Sequence, residues 1–107
     1  MNKVILIGNL GSKPEMRDTK SDKKICTFSV ATNTYAAVGK EPETEWHNIV
    51  AFGKNAENCA KYLEKGSKVA VDGRLKPKKW EDKGGNKQYG SEIIVNSIEF
   101  VDSKVAA

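Results

Sequence analysis

A mainly β domain is what the sequence predicts: a five-stranded Greek-key barrel, with one short helix between strands three and four and a long hairpin joining strands four and five. Three observations carry that expectation. Runs rich in β-branched residues alternate apolar and polar side chains at the strand period. Glycine-centred turns separate several of them. A single stripe at the helical period interrupts the run of strands once. The chain has 107 residues, enough for one core and short for two.

Strand one occupies residues 3–10, opening on Val4-Ile5-Leu6-Ile7 and closing on Gly8-Asn9-Leu10-Gly11. A glycine near its middle reads as a bulge or bend, the device by which a strand curves in a small barrel. Residues 12–24 are polar, with Pro14 and an Asp18-Thr19-Lys20-Ser21-Asp22 cluster, and read as a loop with some extended backbone near Glu15–Arg17. Strand two runs from Ile25 to Asn33, with Cys26, Phe28, Val30 and Thr32 on one face. A long mobile loop, Tyr35–Thr44, leads to strand three at Trp46–Gly53. Asn55 reads as an N-cap, Ala56, Cys59, Ala60 and Leu63 form the apolar helix stripe, and Gly66 reads as the C-terminal cap. Strand four starts at Lys68 and strand five covers Ile93–Phe100, with a turn at Asp82–Asn86. This element order is that of an OB-fold. The domain is expected to span residues 1–101, with 102–107 a short disordered extension.

Composition narrows the function. Hydrophobic residues make up 38% and charged residues 30%, an ordinary globular balance. No apolar run approaches the ~20 residues that span a bilayer, and no signal-peptide pattern opens the chain, so no membrane role and a cytoplasmic, nucleoid-associated location are expected. The net charge of +4 sits on residues 74–90, which hold six basic side chains (Arg74, Lys76, Lys78, Lys79, Lys83, Lys87) and two acidic ones. The rest of the chain is balanced, with twelve residues of each sign. Cys26 and Cys59 lack metal-ligand spacing and fall at apolar positions, so they are expected to be buried thiols. His47 has no nucleophile or metal partner near it in sequence. There is no phosphate loop, because no helix follows Gly84-Gly85-Asn86-Lys87. No enzyme, metal site or cofactor is expected.

The aromatic positions point to a ligand. In strand three, Trp46, Asn48, Val50 and Phe52 share one face, and His47, Ile49 and Ala51 share the other. If Ile49 and Ala51 fill the barrel, Trp46 and Phe52 stand outside about 20 Å apart, at ~3.3 Å per residue. Alternatively Trp46, Val50 and Phe52 are core, as large aromatics usually are; the strand alone leaves both readings open. Trp80 lies among Lys78, Lys79, Glu81, Asp82 and Lys83, where no core is in reach. An exposed Trp beside lysines suits an unpaired base flanked by phosphates. Only two of the eighteen basic residues are arginine, a poor supply for bidentate reading of guanine.

The stretches Asn2-Lys3-Val4-Ile5-Leu6-Ile7-Gly8-Asn9-Leu10-Gly11, Thr44-Glu45-Trp46-His47, Val50-Ala51-Phe52-Gly53-Lys54, Tyr62-Leu63-Glu64-Lys65-Gly66-Ser67, Asp72-Gly73-Arg74-Leu75 and Lys79-Trp80-Glu81-Asp82 resemble the bacterial single-stranded DNA-binding protein family. The resemblance implies binding of single-stranded DNA during replication, recombination and repair. It implies stacking by Trp46, Phe52 and Trp80, with Lys54, Lys65, Arg74, Lys76, Lys78 and Lys79 along the strand's path. Lys87 joins this set from the basic segment, and Tyr35 stands one position off a family tryptophan. A homotetramer is implied too, with strand one (Val4, Leu6) and His47 at subunit contacts. The family's acidic tail has no counterpart in Val101–Ala107, so recruitment of replication and repair enzymes through such a tail is not expected of this chain. A primosome-type bridging module and an RNA-binding OB-fold are the competing classes.

Overall fold

The chain forms six strands and one helix: β1 (Val4–Leu10), β2 (Glu15–Asp18), β3 (Lys24–Thr34), β4 (Glu43–Phe52), α1 (Gly53–Tyr62), β5 (Lys68–Glu81) and β6 (Lys87–Phe100). The computed structural model describes residues 1–18, 23–34, 39, 41 and 43–101. The five expected strands are present, with the helix in its expected place. The sixth is β2, at the extended backbone expected near Glu15–Arg17 within the stretch read as a loop. Its Glu-Met-Arg-Asp sequence has no buried side chain; backbone pairing with β3, from Glu15↔Thr27 to Asp18↔Lys24, holds it in place.

The strands form one sheet in the order β1-β5-β6-β4-β3-β2, which closes through β1 and β3. Closure rests on Asn9↔Ala31 and Leu10↔Val30. The other unusual contact is β4 with β6, the parallel pairing of a Greek key, at Ile49↔Ile93 and Val50↔Ile94. Leu10, Cys26, Phe28, Val30, Ile49, Ala51, Val69, Val71, Ile93 and Val95 fill the interior, and Ala56, Cys59 and Leu63 of the helical segment complete it. Both cysteines are free and buried. Burial pushes the Cys59 thiol up to about 12 and raises that of Cys26 as well, which leaves both as unreactive small apolar groups.

Three local expectations change. Gly8 is not a bulge, because β1 pairs with β5 without interruption from Val4↔Gly73 to Asn9↔Lys68. It is a close approach: a Cβ there would overlap the Ala31 carbonyl oxygen where β1 meets β3. The register shift between β5 and β6 falls instead at Asp72/Gly73. Asn55 is inside α1 rather than at its N-cap, since Gly53 at φ 61° turns β4 straight into the helix. Phe52 is the N-cap residue, extended and without a side-chain cap. Gly66 lies beyond the C-cap Leu63, and its N–H donates to the Leu10 carbonyl at 2.9 Å, tying β1 to the turn before β5.

Candidate nucleic-acid interface

Strand β4 resolves the question its sequence left open. Ile49 is 1% exposed and Ala51 is fully buried, whereas Trp46 is 60% and Phe52 41% exposed. The aromatics therefore stand on the outer wall. Small neighbours make room for Trp46: it pairs with Ala31, and a Cβ on Gly11 would overlap its indole. Between the two aromatics, Val50 is buried although it faces outward, because it forms part of a groove. That groove, about 300 Å³, is lined by Thr27, Ser29, Asn48 and Val50, with Arg17 of β2 and Lys78 of β5 among its other lining residues. A second concavity of about 240 Å³, holding Trp46, Leu75 and Ser91, shares Asn48 with the first.

Beyond the barrel, β5 and β6 continue as a two-stranded ribbon. Its base is pinned by Asn2, whose side chain accepts from the Leu75 N–H at 2.9 Å and donates to the Leu75 carbonyl at 2.8 Å. Its tip is set by Asp82, whose carboxylate accepts from the N–H groups of Gly84 and Asn86, each at 2.9 Å, and from Gln88 Nε2 at 3.1 Å. The Asn86 backbone N–H contributes most to holding that carboxyl below its ordinary range.

Register divides the basic segment between two faces. Arg74 pairs with Ile94, Lys76 with Glu92, Lys78 with Gly90 and Trp80 with Gln88. Ile94 also pairs with Val50, so Arg74, Lys76, Lys78 and Trp80 continue the outer face of β4 that carries Trp46 and Phe52. Trp80 is 46% exposed. Its ring lies over Gly90, where an added Cβ would come within 3.1 Å, and Lys78 Nζ sits 5.8 Å from its centroid. Alternation places Lys79 and Lys87 on the reverse face of the ribbon, with Lys79 paired to Tyr89 and Lys87 to Glu81.

The remaining expected residues are dispersed. Lys54 is exposed in the first turn of α1, two residues after Phe52, and Lys65 is exposed in the turn that follows the helix. Tyr35 and residues 102–107 lie outside the described residues. Val4 and Leu6 are half-buried against the core, so the apolar surface of β1 belongs to its alternate residues, Ile5 and Ile7. His47 is half-buried, its Nε2 2.9 Å from Thr32 Oγ1. Sequence reasoning missed Tyr89, although counting back from the Asp82–Asn86 turn would have put it opposite Lys79. It also missed Arg17 and Lys13 at the groove, for which the sequence carries no signal once residues 12–24 are read as a loop.

A family model for the single-strand binding protein family matches residues 1–101. The chain belongs to that family. Among the family's curated proteins, the single-stranded DNA-binding protein 1 of Chlorobaculum tepidum is 41% identical over 108 residues, covering 97% of this chain and 67% of the relative. The corresponding Staphylococcus aureus protein is 42% identical over 105 residues with the same coverage. Among solved structures, the Plasmodium falciparum SSB in complex with single-stranded DNA superposes with a TM-score of 0.88 at 34% identity, covering 95% of this chain and 96% of that one. A single-strand binding family member of this length spans about two thirds of its bacterial relatives.

Proposed function

We infer that the chain binds single-stranded DNA with little base preference and protects it during replication, recombination and repair. One observation carries this reading: Trp46, Phe52 and Trp80 share a continuous outer face with Arg74, Lys76 and Lys78, around a polar-walled groove. Aromatic faces stack on any base, and lysines meet phosphates as point charges without fixing a register. Lys54 adds a positive charge just past Phe52, and Lys65 adds one in the turn after the helix. The binding unit is residues 1–101, it needs no cofactor, and it is a binding protein rather than an enzyme. Its ligand puts it at the nucleoid, in the cytoplasm.

The assembly we propose is a homotetramer. Among the described residues, Val4–Gly8 pair on one side only, with β5, and Ile5 and Ile7 are exposed beside that edge. An apolar edge strand of this kind is usually covered. His47 would sit near the same contacts. Light scattering should give about four times the 11.8 kDa chain mass; a monomer at micromolar concentration would remove the assembly.

The test of function is a titration of intrinsic Trp fluorescence with oligo-dT, oligo-rU and duplex DNA at two salt concentrations. Oligo-dT should quench most strongly, because duplex DNA hides its base faces and offers phosphates alone. Equal competition by duplex would sink the single-strand reading, and a preference for oligo-rU would make the chain an RNA binder.

A further inference from the structure

The reverse face of the β5–β6 ribbon carries side chains that the outer-wall site does not use. Tyr89, at 67% exposure, is the most exposed of the large aromatic side chains described. Both strands have left the barrel at this point, so no core lies behind the ring. Lys79 Nζ sits 5.8 Å from the Tyr89 centroid, which repeats on this face the Lys78–Trp80 arrangement of the other. A concavity of about 250 Å³ is lined by Lys79, Trp80, Glu81, Lys87 and Tyr89. Trp80 thus lines the concavity as well as standing on the front face.

We propose that this reverse face is a second binding surface for the same single strand, with Tyr89 stacking a base and Lys79 and Lys87 meeting the flanking phosphates. The proposal rests on the single-strand reading above. Two features select a nucleic acid as occupant. The patch is one aromatic between two lysines with one carboxylate nearby, which favours a polyanion over an apolar partner. It is also continuous with the front site at Trp80. The ribbon is two strands wide, ~4.8 Å between strand axes, so a flexible strand leaving Trp80 has only a short distance to travel around the edge to Tyr89. The hairpin would then be gripped from both sides by one strand.

The test uses the full chain with end-labelled oligo-dT of ~6 and ~16 nucleotides, near the two ends of the range of site sizes for one OB-fold. Binding is read by anisotropy, with thermal midpoint and assembly mass measured on every variant. Tyr89→Ala should weaken the long oligonucleotide by ~5-fold or more, as expected when one base loses its stacking platform, and leave the short one within about twofold. Tyr89→Phe should keep the wild-type values, since it keeps the ring. Ultraviolet crosslinking to the long oligonucleotide should mark the peptide containing Tyr89. Equal losses for both lengths would overturn the proposal by placing Tyr89 in the front site, and no loss for either would overturn it outright. A changed assembly mass with unchanged DNA binding would make the patch a protein contact. Should the wild type bind neither length, the single-strand reading itself fails, an outcome distinct from all of these.

Discussion

The barrel wall and the hairpin both carry exposed aromatics, but under opposite constraints. On β4 Ile49 and Ala51 are committed to the core, so beside them only the opposite face is available to a ligand. The wall aromatics also contribute to the packing of their surroundings, with Trp46 laid against Gly11 and opposite Ala31. On the ribbon neither face at Trp80 and Tyr89 touches the core, and side chains there are free to serve the ligand alone. Changes on the wall should therefore couple binding to stability, whereas changes on the hairpin should separate them.

The largest expected effect comes from the wall's buried side. Ile49→Ala should lower stability by ~2–5 kcal/mol, the usual range for such a cavity, and carry the binding surface down with it. Chemical denaturation followed by DNA titration checks this; full stability would mean that β4 is not anchored as described. Next are the tryptophans. Trp46→Ala and Trp80→Ala should each cost ~1–3 kcal/mol of single-strand affinity, but only Trp46→Ala should also lower the thermal midpoint. If Trp80→Ala destabilises the fold just as much, the contrast between the two regions disappears.

A smaller effect separates charge from stacking on the hairpin itself. Replacing Lys76 and Lys78 with Ala should flatten the salt dependence by ~0.7 in slope for each phosphate that is no longer neutralised. Trp80→Ala should leave that slope nearly unchanged. A shift in base preference in the lysine variant would count against point-charge contacts. Least of all is the Asp82 turn. Because hydrogen bonds hold its folded carboxyl below the ordinary 3.8, its contribution is present above that value and is lost as pH falls through the folded pKa. The Gly84 and Asn86 amide resonances should titrate with a midpoint under 3.8, and a midpoint above it would refute the turn geometry.

The same contrast explains what can be read from the sequence. Strand β3 is legible because one of its faces is buried, and alternation of Cys26, Phe28 and Val30 reports that directly. Strand β1 is legible as a strand but not in orientation: Val4-Ile5-Leu6-Ile7 is apolar on both faces, so the period does not choose between Leu6 and Ile7. Strand β2 leaves only the extended backbone expected near Glu15–Arg17 and no side-chain alternation, because pairing through backbone groups imposes no pattern on polar side chains. The orientation of Trp46 cannot be assigned from β4 alone, since the room it needs is supplied by Gly11 and Ala31, distant in sequence. The two faces of the hairpin follow from its turn. A count of charge along residues 74–90 merges them, and so does not separate Lys79 and Lys87 from Lys76 and Lys78.

The two brief pairings that close the barrel have a mechanical consequence. One leaf of the molecule is β2-β3-β4, bearing Trp46 and Phe52; the other is β1-β5-β6, bearing Trp80. Among the described residues the strand ladders join the leaves through two residue pairs at each seam: Asn9↔Ala31 with Leu10↔Val30, beside which the Gly11 N–H donates to the Ser29 carbonyl, and Ile49↔Ile93 with Val50↔Ile94. Breathing of the barrel should begin there, and a strand bound across both leaves acts as a staple over one of the seams. Hydrogen exchange at Val50 and Ile94 should slow when oligo-dT is added, by more than exchange at the helix does, because the ligand must be released before the leaves can part.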